Sequence, residues 1–211
     1  MKRFKVKICG MKDVALVSYA IELGADLIGI ILFNRSPRFV SQKQAKEIVR
    51  SLQPVIQSVG VFVNEETETI LRLRDKLRFD FAQIHGLRDN STIRTLQRNG
   101  LKVIESFTVR TKKDFLTIAE SEAEIIMLDN TSEEKHGGTG KPFDWRLRPA
   151  APLRNLMVAG GIDADNVAKA VKAYCPMIVD VNSGVESSLG VKSQKKLKQF
   201  FTQCNAIRYG K

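Results

Sequence analysis

Four short stretches of this sequence put acid–base or anion-binding groups directly after apolar runs. Cys9-Gly10 closes the first run, and a thiolate is a competent base where nearby dipoles favour it. Asp129 follows the sixth run, and a carboxyl enclosed in a poorly solvated recess can hold and donate a proton. Gly160-Gly161 follows the seventh run and Asn182-Ser183-Gly184-Val185-Glu186 the eighth. Glycines there let backbone N–H groups approach an anion closely, and a helix starting next adds a favourable dipole. The set describes proton transfer beside a phosphate site.

Each stretch also has a plainer reading. Cys9 fits an inert core thiol, Asp129 a turn former ahead of Asn130-Thr131-Ser132, and Gly160-Gly161 a tight strand-to-helix turn. Gly137-Gly138-Thr139-Gly140-Lys141 resembles part of a phosphate-binding P-loop, but Pro142 breaks the required Lys-Ser/Thr step. A lid over the end of the sixth run suits it better, or simply a glycine-rich loop. His85 reads as a packed or hydrogen-bonding residue and His136 as a solvated one. Trp145 reads as packing, in a position to anchor the lid after Phe143, and Cys175 and Cys204 receive no role.

The elements that must position these groups alternate along the chain. Strand-like runs occupy 4–9, 27–33, 55–63, 79–85, 102–108, 124–128, 156–159 and 177–181. Most are apolar on both faces, as parallel strands covered on both sides require. Amphipathic stretches lie between them, among them 41–52, 64–77 and 163–174, the last opening Asp-Ala-Asp-Asn as a helix N-cap. Eight such units of about 26 residues predict an α/β fold: one compact (β/α)8 barrel, a TIM barrel, over 1–211. In that fold the βα loops at the strand C-termini hold the active site, and the loops after strands seven and eight commonly hold phosphate. A doubly wound open sheet is the alternative, although no GxGxxG follows the first strand.

Composition narrows the class. The 211 residues are 43% hydrophobic and 27% charged, an ordinary globular balance. No apolar run approaches the roughly 20 residues of a membrane helix, and the basic N-terminus, Met-Lys-Arg-Phe-Lys-Val-Lys, develops no signal-peptide core. Three widely spaced cysteines and two histidines suggest neither a disulfide framework nor a metal site, so the expectation is a reduced cytoplasmic protein. A net charge of +11 points to anionic partners: nucleic acid, acidic membrane or phosphorylated small molecules. The basic residues are spread, as Lys2, Lys5 and Lys7; Arg72, Arg74, Lys76 and Arg78; Lys192, Lys195, Lys196 and Lys198, and a charge run of this kind is usually a solvated face.

An ordered set of motifs spanning nearly the whole chain resembles the phosphoribosylanthranilate isomerase family of tryptophan biosynthesis. It runs Lys7-Ile8-Cys9-Gly10, Gly24-Ala25-Asp26, Ser36-Pro37-Arg38, Gly60-Val61-Phe62-Val63-Asn64, Gln83-Ile84-His85-Gly86 and Leu128-Asp129. It continues through Gly137–Trp145 and Ala159-Gly160-Gly161 to Asp180-Val181-Asn182-Ser183-Gly184-Val185-Glu186. The resemblance implies an Amadori rearrangement of N-(5′-phosphoribosyl)anthranilate, third step from chorismate to tryptophan, with no cofactor or metal. It implies Asp129 as general acid and Cys9 as general base. Arg38 would hold the anthranilate carboxylate, Gly160, Gly161, Ser183 and Gly184 the phosphate, and Asp180 would lie near the sugar. Monomer and homodimer both accord with it.

The chain departs from the family pattern at Ala15-Leu16-Val17, at Leu87, at Asn182 (where serine is usual in the phosphate loop) and in the charged tip 132–136. None of these touches Cys9, Asp129 or Arg38. Two other functions compete. The related isomerase of the histidine pathway favours paired catalytic aspartates, whereas the first strand here ends in Cys9. A nucleic-acid-binding barrel needs a clustered basic face, which the spread of charge does not give.

Overall fold

The computed structural model describes residues 4–86, 89–129 and 145–209. In chain order the elements are β1 (Lys5–Ile8), α1 (Val14–Leu23), β2 (Leu27–Ile31), α2 (Gln42–Ser51), β3 (Gln57–Val63) and α3 (Thr67–Leu77). There follow β4 (Phe81–His85), α4 (Asn90–Arg98), β5 (Lys102–Thr108), α5 (Asp114–Ala119), β6 (Ile125–Asp129) and β7 (Leu156–Val158). The chain then forms α6 (Val167–Tyr174), β8 (Ile178–Val181), the short strands β9 (Glu186–Ser188) and β10 (Val191–Lys192), and α7 (Gln194–Tyr209). The first eight strands are parallel, in sequence order, and β8 pairs back onto β1, so the sheet closes. Closure excludes the doubly wound alternative. Among the described residues no helix stands between β6 and β7, and the glycine loop 137–141 with His136 and Phe143 lies outside them.

Period-two alternation sends successive residues of each strand to opposite faces, one toward the helices and one toward the barrel axis. On β1, Val6 and Ile8 face the helices and join the outer core, while Lys7 and Cys9 face the barrel axis. The same division puts Phe81, Gln83 and His85 of β4 and Ile125, Met127 and Asp129 of β6 inside. Two hydrophobic clusters result, a large one between barrel and helices and a smaller one along the axis.

Helix boundaries follow from local chemistry. Ser41 caps α2 in a capping box with Gln44, and Asp13 caps α1 by accepting from Leu16 N at 2.8 Å. The helix read from 64 begins three residues later, at Thr67. Asn64 adopts φ 48° and donates its backbone N–H to His85 O, which belongs to the turn out of β3. Likewise Asp163 does not cap α6. Its Oδ1 accepts from Asp165 N and Asn166 N in the preceding turn, and the helix starts at Val167. Trp145 packs partly buried against the outer core, which also takes in Cys204, whereas Cys175 is exposed.

The opposite end of the barrel repeats one device. Asp26, Asp80 and Glu124, each just before an even-numbered strand, accept the backbone N–H of Val6, Ser58 and Val103 at 2.8, 2.7 and 2.7 Å. Each ties the start of one strand to the start of its neighbour. Among the described residues no helix is long and apolar enough to cross a membrane.

Candidate active site

A cavity of about 430 Å³ opens at the C-terminal ends of the strands. Cys9 reaches it from β1, Arg38 from the loop after β2, Asp129 from the end of β6, and Asp180 from β8. Gly160, Gly161, Asn182 and Ser183 line it from the loops after β7 and β8. Of the nine site residues that the sequence points to, Gly184 alone is not on this wall. Its part is different. A Cβ at Gly184 would stand 2.0 Å from Ile162 O, so glycine there lets the β8 loop touch the β7 loop backbone to backbone. Gly160 and Gly161 take φ of 82° and 65°, in the left-handed region that glycine enters without strain, and their bare backbone leaves room for an anion.

Arg38 is only 3% exposed and its guanidinium is held from one side. Nε and Nη2 donate to the two carboxylate oxygens of Glu186 at 2.7 and 2.8 Å, leaving the Nη1 edge for a ligand. Glu186 Oε1 also accepts from Lys192 Nζ at 3.0 Å, and the same ammonium bonds the backbone and side-chain carbonyls of Asn182 at 2.9 and 2.7 Å. Burial opposes ionisation of Glu186, but the hydrogen bonds of Arg38 and the charge of Lys192 prevail and hold its carboxyl at about 2. Burial lowers the proton affinity of Lys192, against the pull of Glu186. One buried carboxylate thus joins the residue on the β2 side of the cavity to the turn after β8.

Beneath Cys9 lies a second buried pair. Lys7 Nζ meets Asp180 Oδ1 at 2.9 Å, the two residues being 0% and 5% exposed, and their Cα atoms are partners where β1 meets β8. Burial pushes the Asp180 carboxyl up against the pull of Lys7, and pushes the Cys9 thiol up as well. Across the barrel, Gln83 Nε2 lies 2.7 Å from His85 Nε2. Burial lowers the proton affinity of His85, against the opposing influence of Asp129. Among the described residues no group of three His, Cys, Asp or Glu is placed to hold a metal ion.

Lys7 and Lys192 are corrections to the reading of the basic residues as solvated surface. Both are buried, because each has a carboxylate partner inside the fold. The sequence does carry a signal for Lys7: it lies two residues before Cys9 in a strand, hence on the same face. Nothing local marks the role of Glu186, since it depends on Arg38, 148 residues away, whereas Lys192 meets Glu186 and Asn182, six and ten residues before it, across the β9–β10 turn. Asp180 lines the cavity as expected, but its Oδ1 is committed to Lys7.

The sequence profile of the N-(5′-phosphoribosyl)anthranilate (PRA) isomerase family matches residues 6–203. An N-(5′-phosphoribosyl)anthranilate isomerase of Citrifermentans bemidjiense is 37% identical over 204 residues, covering 96% of this chain and 98% of that protein. Among solved structures, the phosphoribosyl anthranilate isomerase of Thermotoga maritima superposes with a TM-score of 0.88 at 33% identity, over 96% of this chain and 99% of that one. A phosphoribosyl anthranilate isomerase in complex with reduced 1-(o-carboxyphenylamino)-1-deoxyribulose 5-phosphate superposes with a TM-score of 0.81 at 29% identity, over 96% and 99%.

Proposed function

The chain belongs to the N-(5′-phosphoribosyl)anthranilate isomerase family and is an isomerase of tryptophan biosynthesis, and we propose that it works by general acid–base catalysis of an Amadori rearrangement. The substrate is N-(5′-phosphoribosyl)anthranilate and the product 1-(2-carboxyphenylamino)-1-deoxyribulose 5-phosphate. Asp129 gives a proton to the furanose ring oxygen, the C1′–O bond breaks, and the anilino nitrogen forms an iminium with C1′. The Cys9 thiolate removes the C2′ proton that the iminium has made acidic, leaving an enolamine. Protonation at C1′ and loss of the hydroxyl proton at C2′ then give the ketone. Only protons move, so the scheme needs no redox cofactor.

Binding follows the charges. The phosphate is held by the backbone of Gly160, Gly161 and Ser183, with Gly184 letting the β8 loop close against the β7 loop, and the anthranilate carboxylate by the Nη1 edge of Arg38. Asn182 serves in place of the usual serine: Lys192 occupies its Oδ1, which directs its Nδ2 donors elsewhere and leaves them for an anion. Asp180 sits below the sugar. Residues 1–211 act as one barrel domain, working in the cytoplasm as a monomer or homodimer.

The observation that carries this reading is that Cys9 and Asp129, from β1 and β6, line one cavity with Arg38 and both glycine turns. The test follows consumption of phosphoribosylanthranilate by its fluorescence. Cys9→Ser and Asp129→Asn should each lose about a hundredfold or more in kcat while keeping the fold. Near-wild-type turnover by purified Cys9→Ser would overturn the assignment of the base.

A further inference from the structure

The barrel interior contains a fully buried lysine that the proposed proton transfers do not use. Lys7 is 0% exposed, yet it is charged, and removing an ammonium from water is costly unless its partners repay it. Asp180 is one partner, at 2.9 Å. The second is Cys9, which projects from the same face of β1 two residues on.

Gly29 of β2 shows how closely these side chains converge. A Cβ there would stand 2.9 Å from Cys9 Sγ and 3.2 Å from Lys7 Cε. A glycine inside a strand forgoes packing and stiffness, and commonly marks close approach of another group. Here the space a side chain would fill is taken jointly by the thiol and the lysine stem.

We propose that Lys7 is a positioning residue of the isomerase: its buried ammonium is the counter-charge of the Cys9 thiolate, and Asp180 draws on the same ammonium. The proposal rests on the reading of Cys9 as the base. Lys7 carries one charge between two acids: it stays paired with the Asp180 carboxylate throughout and also favours the Cys9 thiolate while that is ionised. When the thiolate takes the C2′ proton it becomes a neutral thiol, and Lys7 is left paired with Asp180. Burial works against the thiolate, and Lys7 is the largest influence in its favour. The other ionisable groups acting on Cys9 are Asp180 from β8, which opposes ionisation, and Lys192 from β10, which assists it; Asp129 and His85 face the same interior.

The experiment reads the thiol directly, without substrate. In a Cys175→Ser background, which removes the exposed thiol, Cys9 alkylation by iodoacetamide is followed against pH by peptide mass analysis. Lys7→Met should move the alkylation midpoint up by about one pH unit or more, a tenfold loss of thiolate at neutral pH. Its kcat should fall by a similar factor, with KM changed less than about threefold. Asp180→Asn should move the midpoint down, because the competing acid is gone, and this variant decides the matter if Lys7→Met fails to fold. An unchanged midpoint in Lys7→Met, or an upward shift in Asp180→Asn, overturns the proposal. Should the midpoints move as expected while Cys9→Ser keeps its turnover, the base assignment fails and the Lys7–Cys9 pairing stands.

Discussion

Glu186 sits between the two cations of the cavity wall, and its ionisation should show in the acid stability of the whole protein. Its carboxyl is held at about 2, from an ordinary value of 4.5, where burial is outweighed by Arg38 and Lys192. A folded-state value below the unfolded one stabilises the fold above pH 4.5 and loses that contribution as pH falls toward 2. The shift corresponds to on the order of 3 kcal/mol. Urea titrations of wild type between pH 5 and pH 2 should lose about that much more stability than titrations of Glu186→Gln, which should start lower and stay flatter. Parallel losses in the two proteins would show that the carboxylate has no such linkage. At this scale the sequence discloses reactive groups better than the charges that set them. Cys9 and Asp129 are legible because each stands at the end of a strand-like run, where barrel chemistry sits, and Asp180 through the family resemblance. Glu186 is not, because only the closed fold brings it to Arg38, 148 residues away.

The elements show which part of the barrel serves stability. The carboxylates before β2, β4 and β6 each accept a strand-start N–H at the end remote from the cavity. Asp80 Oδ2 takes both Ser58 N and Ser58 Oγ at 2.7 Å, so its loss leaves a strand-start donor without its acceptor. Asp80→Ala should cost about 1–2 kcal/mol of unfolding free energy while kcat and KM stay within about twofold of wild type. A drop in kcat without a drop in stability would mean that this end of the barrel couples to the chemistry. Strand order and type are legible from the apolar runs, while several of the strand ends drawn from them are too long; 102–108 coincides with β5 and 124–128 stops one residue short of the end of β6. Phe4, Phe33, Val55 and Phe79 continue apolar runs beyond the ladder, where the three phenylalanines pack against the core and Val55 lies exposed. Apolarity reports burial, whereas a strand ends where its hydrogen-bonded neighbour does.

Over the whole molecule, the pairing of β1 with β8 is the feature no local pattern announces, since the residues it joins are 173 apart, as Lys7 and Asp180. The count of eight runs and the family resemblance point to closure; the hydrophobic pattern also admits an open sheet, as the lesser alternative. The net charge of +11 now divides into two populations. Among the described residues Lys7, Arg38 and Lys192 are the buried cations, and each has a carboxylate partner. The remaining excess lies outside this set and acts on solvent, where its effect is long-range and screened. A substrate carrying phosphate and carboxylate is drawn by such a field, and salt shortens the field's reach from about 30 Å at 10 mM to about 8 Å at 150 mM. Between those salt concentrations kcat/KM should fall about threefold or more, while kcat changes less than twofold because the bound substrate is already within the cavity. Steady-state assays across a sodium chloride series measure both. RNA added at 150 mM salt should leave kcat/KM unchanged, because binding a polyanion at that salt needs a concentrated basic face. If RNA competes instead, with inhibition weakening steeply as salt rises, the surplus charge serves a nucleic acid rather than the approach of the substrate.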